Sequence, residues 1–242
     1  MSDTATDDRL YFRQLLSGRD YARQDAIARQ MVNFAYLIGD RATGVAVAVD
    51  PAYAPGELLD LVEDDGMRLE GVLVTHYHAD HAGGSLFGQD ISGLTDLLER
   101  TSVPVHVQAE EAPWVVRAAG VEQGDLVVHE SDDTVRVGEI EIRLIHTPGH
   151  TPGSQCFLVD GRLVAGDTLF LNGCGRTDLP GSDPAAMYDS LQNRLGRLPD
   201  GTVVYPGHLY SAEPSAPLAE VKRSNPVLAP RSAEEWLRVF GT

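Results

Sequence analysis

The segment Thr75-His76-Tyr77-His78-Ala79-Asp80-His81 constrains this chain more than any other part of it. Three histidines and one aspartate, ordered H-x-H-x-D-H, put four metal-binding side chains on one short stretch. The preceding run Gly71-Val72-Leu73-Val74-Thr75 is apolar and rich in β-branched residues, which predicts a buried strand. Along an extended backbone His76, His78 and Asp80 face one way, and a tight turn brings His81 round to join them. On a helix the same three would fan around the axis, and a solvated turn would use Gly, Ser or Asn. The segment therefore predicts a metal centre at the tip of a strand, where a rigid scaffold presents ligands to a cleft.

Three later segments have matching character. Thr147-Pro148-Gly149-His150-Thr151-Pro152-Gly153, Gly166-Asp167-Thr168 and Pro206-Gly207-His208 each place one candidate ligand after an expected strand. Each has a neighbouring glycine that permits close approach. Together, His76, His78 and His150 suit one metal, and Asp80, His81 and His208 suit a second. Asp167 can bridge them because a carboxylate has two oxygens. Two ions roughly 3.5–4 Å apart would share a hydroxide and clamp a carbonyl or phosphoryl group. Asp80 is placed to orient that hydroxide, which makes it the catalytic candidate as well as a ligand. His106, His129 and His146 fall in or beside expected strands and are read as structural.

Charge narrows the substrate. Acidic residues outnumber basic ones 36 to 19, for a net charge of −17, which opposes binding to nucleic acid or to an anionic membrane. No apolar run approaches a membrane span. Met1 to Arg9 is polar and acidic and lacks the features of a secretory signal, so a cytoplasmic protein is expected. Cys156 and Cys174 lie in no C-x-x-C, which argues against a disulfide framework and against a thiolate zinc site. The length of 242 residues suits a single domain over 1–242.

Patterning gives the elements. Met31–Ile38 and Gly44–Val49 read as a hairpin turning at Gly39-Asp40, and Glu57–Glu63 as a short helix. Gly83–Arg100 starts loose and becomes helical near Leu94. Val103–Val107, Leu126–Val128 and Ile140–Ile145 read as strands, and Glu110–Ala119 as a helix. Gln155–Val159 and Arg162–Ala165 form a hairpin around Asp160-Gly161. Asp183 caps a helix that starts at Pro184 and runs to Leu198, with Met187, Leu191 and Leu195 on one buried stripe. Val203–Tyr205 reads as a strand, and Pro217–Lys222 and Ala233–Phe240 as helices within a C-terminal stretch from about 214 to 242. Strands come in bursts without βαβ alternation, which predicts two sheets with outer helices.

With H-x-H-x-D-H followed in order by G-H, G-D and G-H, the chain resembles the metallo-β-lactamase superfamily from the Met31 hairpin to His208. The resemblance implies an α/β, four-layer αββα sandwich of two mixed β-sheets with outer helices. It also implies metals in a cleft at one sheet edge, held by His76, His78, Asp80, His81, His150, Asp167 and His208. Gly173-Cys174-Gly175-Arg176-Thr177-Asp178 and Asn225-Pro226 are similar to segments of glyoxalase II-like (hydroxyacylglutathione hydrolase-like) thioester hydrolases and of persulfide dioxygenases. Leu10-Tyr11-Phe12-Arg13-Gln14-Leu15 resembles the start of the dioxygenases. Thr177-Asp178 stands where glyoxalase II commonly has aromatic residues, and Leu209 where both groups often have an acid. The stretch Leu86–Val121 is longer than in the dioxygenases. Ser154-Gln155-Cys156-Phe157 and Thr168-Leu169-Phe170 resemble general hydrolase members.

The leading expectation is thus a metal-dependent hydrolase cleaving a thioester of a small-molecule thiol conjugate with a metal-bound hydroxide. Two divalent ions are implied, zinc first, with iron or manganese as alternatives. Arg176 is expected to pair with a carboxylate of the thiol carrier, and Tyr210 matches a substrate-binding position of glyoxalase II-like proteins. The alternative is a persulfide dioxygenase with one Fe(II) on His76, His150 and Asp167, a 2-His-1-carboxylate set. A lactonase or phosphodiesterase is a third reading, and a module with structural metals a fourth. A monomer or homodimer is expected.

Overall fold

The computed structural model describes residues 9–86, 88–230 and 232–241. All of the polar N-terminal stretch except Arg9 lies outside the described residues. In chain order the first half builds β1 (Leu10–Leu16), α1 (Ala26–Met31), β2 (Phe34–Asp40), β3 (Val45–Val49), α2 (Pro55–Asp64), β4 (Arg68–Leu73) and α3 (Ala79–Ala82). A small hairpin, β5 (Gly84–Leu86) and β6 (Gln89–Ile91), follows, then α4 (Leu94–Leu98), β7 (Val105–Gln108), α5 (Ala112–Ala119) and β8 (Leu126–His129). The second half builds β9 (Thr134–Val137), β10 (Ile140–His146), β11 (Gln155–Val159), β12 (Arg162–Gly166), α6 (Pro184–Asp189), β13 (Val203–Pro206), β14 (Ala216–Pro217), α7 (Leu218–Ser224) and α8 (Ala233–Phe240).

Each half makes one six-stranded sheet, ordered β1-β2-β3-β4-β7-β8 and β14-β13-β12-β11-β10-β9. Both are mixed. In the first, β1 to β3 are antiparallel and β3, β4, β7 and β8 run parallel. In the second, only β12 and β13 are parallel.

The strand period of two sorts residues between layers. Phe34, Tyr36 and Ile38 of β2 pack with Ile142, Leu144, Phe157 and Val164 of the facing sheet. Ala35 and Leu37 turn the other way, toward Leu58 and Val62 of α2. On the far side Met187, Leu191, Leu195 and Trp236 cover the second sheet and are fully buried. These three apolar layers separate four layers of backbone, the αββα sandwich expected from the motifs. No helix among the described residues is long and apolar enough to cross a membrane.

Several elements depart from the pattern reading. Met31 closes α1, because Val32 takes a left-handed conformation (φ +51°) that ends the helix before β2 begins. Leu10–Leu16 pairs along its whole length with β2. The loose start after Gly83 contains the β5–β6 hairpin, and β9 precedes β10 as an unforeseen partner. The Asp183 cap accepts from the Ala185 and Ala186 N–H groups as predicted. Beyond Asp189 that helix loosens into a π turn over Ser190–Arg194 and a 3-10 turn over Leu195–Arg197.

Candidate metal centre

β4 hands its last residues to the centre. After Leu73 the backbone stays extended, with Val74 N bonded to the His106 carbonyl, and Gln155 of the facing sheet closes on it from the other side. His76 and His78 follow on this extended backbone. The expectation that Asp80 shares their face is not met. His78 caps the short helix α3, and the helical turn (His81 N to His78 O, 2.9 Å) takes Asp80 and His81 off the extended line of His76 and His78, with the His81 ring still 4.2 Å from that of His76. The motif thereby splits into two groups.

The other ligands arrive from strand ends of the second sheet. His150 follows β10, Asp167 follows β12 and His208 follows β13. The ligand atoms of His76, His78 and His150 all lie within 4.8 Å of one another, and so do those of Asp80, His81 and His208. Asp167 lies between the groups: Oδ1 is 3.4 Å from His81 Nε2, and Oδ2 is 3.2 Å from His208 Nε2 and 3.8 Å from His150 Nε2. Gly207 permits this approach, since a Cβ there would sit 2.3 Å from Asp167 Oδ1.

Hydrogen bonds behind the rings fix their orientation. His150 Nδ1 donates to the Arg176 carbonyl (2.8 Å), His208 Nδ1 to the Met31 carbonyl (2.9 Å), and His81 Nδ1 to Asp50 (2.9 Å). Thr75 Oγ1 donates to Asp50 (2.5 Å) and can then accept from His76 Nδ1 (3.0 Å). Each of these four rings keeps Nε2 for the centre, as metal-binding histidines usually do.

Three residues that the sequence did not single out do much of this ordering. Asp50, at φ +52°, accepts from the Thr75 N–H, the Thr75 hydroxyl and His81, so its oxygens are engaged behind the centre. Asn33 donates to Asp80 Oδ2 (3.0 Å) and accepts from the Tyr53 hydroxyl (2.9 Å). Glu111, fully buried at the start of α5, accepts from Tyr77 N (2.7 Å), Gly153 N (2.7 Å) and Thr151 Oγ1 (2.9 Å). It ties the H-x-H loop to the loop that carries His150. Asp50-Pro51 reads in sequence only as a strand stop and Glu111 only as a helix start, because their partners lie 25 to 42 residues away.

Electrostatics divides the histidines. Burial, with neighbouring His81, His78 and His150, holds His76 well below its ordinary value. Burial and His150 bring His78 down to about 4, and burial also lowers His150. At His81 burial opposes the charge, but Asp80, Asp167 and Asp50 outweigh it and push the ring up to about 10. His208 rises too, against burial, mainly through Asp167. Burial likewise opposes an ionised Asp167, yet His208 and His81 hold that carboxyl well below the usual range.

The donor set fits a divalent cation. His76 Nε2 and Asp167 Oδ1 are buried and make no hydrogen bond. Such atoms cost about 1–3 kcal/mol each when left unmatched. Imidazoles converging with a two-sided carboxylate suit zinc, iron or manganese, with His81 and His208 giving up a proton on binding, and a bound ion would supply the missing partner of both atoms.

A cavity of about 760 Å³ opens over this floor. Tyr210 lines it and is 55% exposed, its ring stacked on His208 (centroids 4.6 Å apart, 9° between planes), so it is not a core tyrosine. Arg176 lines the cavity as well, with its guanidinium bonded twice to Asp178 (2.9 and 2.8 Å). Burial pushes the Cys174 thiol up to about 12, which removes it as a thiolate nucleophile at neutral pH. His106 and His129 stack 5.1 Å apart, away from the centre, and His146 bonds to the Pro152 carbonyl.

Residues 29–208 match the sequence profile described as the metallo-beta-lactamase superfamily. The persulfide dioxygenase ETHE1 of Homo sapiens is 31% identical over 239 residues, covering 95% of this chain and 86% of that protein. A hydroxyacylglutathione hydrolase of Rhodopseudomonas palustris is 36% identical over 213 residues, covering 86% and 75% respectively. The crystal structure of ETHE1 from Myxococcus xanthus superposes with a TM-score of 0.78 at 34% identity, covering 96% of this chain and 90% of that one.

Proposed function

The chain belongs to the metallo-β-lactamase superfamily, and from that premise we propose that it is a metal-dependent hydrolase that cleaves the thioester of a small-molecule thiol conjugate. The observation that carries this reading is Asp167. Its carboxylate lies between two three-residue ligand groups, with Oδ1 beside His81 and Oδ2 between His208 and His150, an arrangement suited to a pair of ions. Bound there, two divalent ions would polarise the carbonyl, acidify a water and stabilise the departing thiolate.

The chain's own residues supply the rest. Asn33 holds one Asp80 oxygen, which fixes the carboxylate and lets it orient the attacking water. Four of the five histidines, His76, His81, His150 and His208, are oriented from behind, so these ligands lose little freedom when the ions bind. Phe170 and Tyr210 form an apolar edge beside His208 that suits the acyl or thiol chain.

A second reading has its own support. The similarity to human persulfide dioxygenase covers 95% of this chain, and so extends past the N-terminal limit of the family profile at residue 29. On that reading His76, His150 and Asp167 hold one Fe(II), and the product chemistry is oxidation of a persulfide.

Metal content of protein purified without added metal, measured by mass spectrometry, separates the two. About two ions per chain, together with thioester cleavage, supports the hydrolase. One iron per chain, with O₂ uptake on a persulfide and no thioester cleavage, replaces it with the dioxygenase.

A further inference from the structure

The cavity has one wall that the metal chemistry leaves unused, built by the segment after the ligand motif together with Tyr77. Tyr77, between ligands His76 and His78, stacks on Trp114 of α5 with centroids 5.0 Å apart and planes at 25°. One turn further along α5 the Arg117 guanidinium lies over the other aromatic of that stack, 5.7 Å from the Trp114 centroid. The β5–β6 hairpin closes on the same helix because Gly84, at φ +118°, has no side chain: a Cβ would lie 2.2 Å from the Ala118 carbonyl oxygen. That contact brings Leu86 and Arg117 onto one wall of the cavity.

Two arginines reach this cavity, and they differ. Arg176 is neutralised by its paired bonds to Asp178. Arg117 makes no ion pair with any described carboxylate; its contact is the Trp114 face. In a chain of net charge −17, an arginine left unmatched and braced on an aromatic stack marks a place for an anion.

We propose that Arg117 is the anion anchor of the substrate cavity, binding an oxyanion on the carrier half of a thiol conjugate while the sulfur lies over the histidines. This rests on the thiol-conjugate reading above and makes its substrate an anionic carrier, with a carboxylate or a phosphate as the group held.

Calorimetric binding of three non-cleavable thioethers to the metal-loaded protein tests it: S-hexylglutathione (carboxylate), S-hexyl-4′-phosphopantetheine (phosphate) and S-hexylpantetheine (neutral). At least one anionic probe should bind more tightly than the neutral one. Arg117→Gln should erase that advantage, weakening the anionic probe about fivefold, and Arg117→Lys should keep part of it. The probe that responds identifies the carrier's anion. Equal binding of charged and neutral probes, an unchanged affinity in Arg117→Gln, or no binding of any probe overturns the anchor. Because turnover is not involved, the two proposals fail separately. Arg117-dependent binding without cleavage of the matching thioesters removes the hydrolase and keeps the anchor. Cleavage with an indifferent Arg117→Gln does the reverse.

Discussion

Asp40 and Asp167 are largely buried aspartates at opposite ends of one sandwich, one closing a strand and one just past a strand, and they are treated in opposite ways. Asp40 ends β2 at the end remote from the histidines. Its oxygens take two bonds from Arg9 (2.9 and 2.7 Å), one from Ala42 N (2.9 Å) and one from Glu139 N (2.9 Å) of the facing sheet's turn. Asp167 follows β12 at the other end, among histidines, with Oδ1 making no hydrogen bond. One end of the sandwich is saturated and holds the sheets together. The other keeps donors and acceptors unmatched, which a fold tolerates only where a ligand completes them.

The largest effect that tests this contrast is on Asp167. Asp167→Ala should lose activity well beyond the roughly 10–100-fold that follows from losing a group that merely orients a ligand. It should also lose metal, read by mass spectrometry, while the Tm of the chelator-treated protein holds. A fall in that Tm as large as the one at Asp40 would erase the distinction between the two ends.

Asp40→Ala should behave inversely. It strands Arg9 and two backbone N–H groups, so the Tm should fall on the order of 5 °C, with turnover per folded molecule unchanged. Arg9 holds the Asp40 carboxyl well below the usual range, with burial opposing it. A depressed value stabilises the fold above about pH 4 and that contribution is lost on acidification below it.

Glu111 gives the opposite sign from the site end. Burial pushes its carboxyl up to about 7, with Thr151, Tyr77 N and Gly153 N holding it from rising further. A raised value favours the fold below the unfolded value of 4.5, and that advantage is lost as pH rises through 7. In chelator-treated protein, Glu111→Gln should therefore escape a loss of roughly 3 kcal/mol that the native chain suffers between pH 4.5 and 7.5. Parallel pH curves for the two proteins would show that Glu111 is ionised without cost.

How far these contrasts can be read from the chain depends on sequence distance. The ligands were legible because their chemistry is local: H-x-H-x-D-H is contiguous, and His150, Asp167 and His208 each follow a visible strand beside a glycine. The hairpin around Asp160-Gly161 and the Asp183 cap were legible for the same reason. The split of the motif was not, because it depends on α3 starting at Ala79, a single turn too short to leave a periodicity. Asn33, Asp50 and Glu111 were invisible because each acts on a partner that only the folded sandwich brings near. The β5–β6 hairpin, with strands of only three residues, carries no hydrophobic alternation to announce it.

The smallest expected effect concerns Arg176, which sequence reading placed on the substrate. Its side chain is exposed and already bonded to Asp178, so a ligand must compete with that carboxylate and with water for it. The residue's firm contribution is its carbonyl, which accepts from His150 Nδ1 and does not change with the side chain. Arg176→Gln should therefore leave KM and metal content within about twofold of the native values, against the about fivefold expected at Arg117. A larger rise in KM at Arg176 than at Arg117 would mean that Asp178 releases the guanidinium when substrate binds. The matched pair at the cavity rim would then be a switchable one, unlike the fixed Arg9–Asp40 pair at the opposite end.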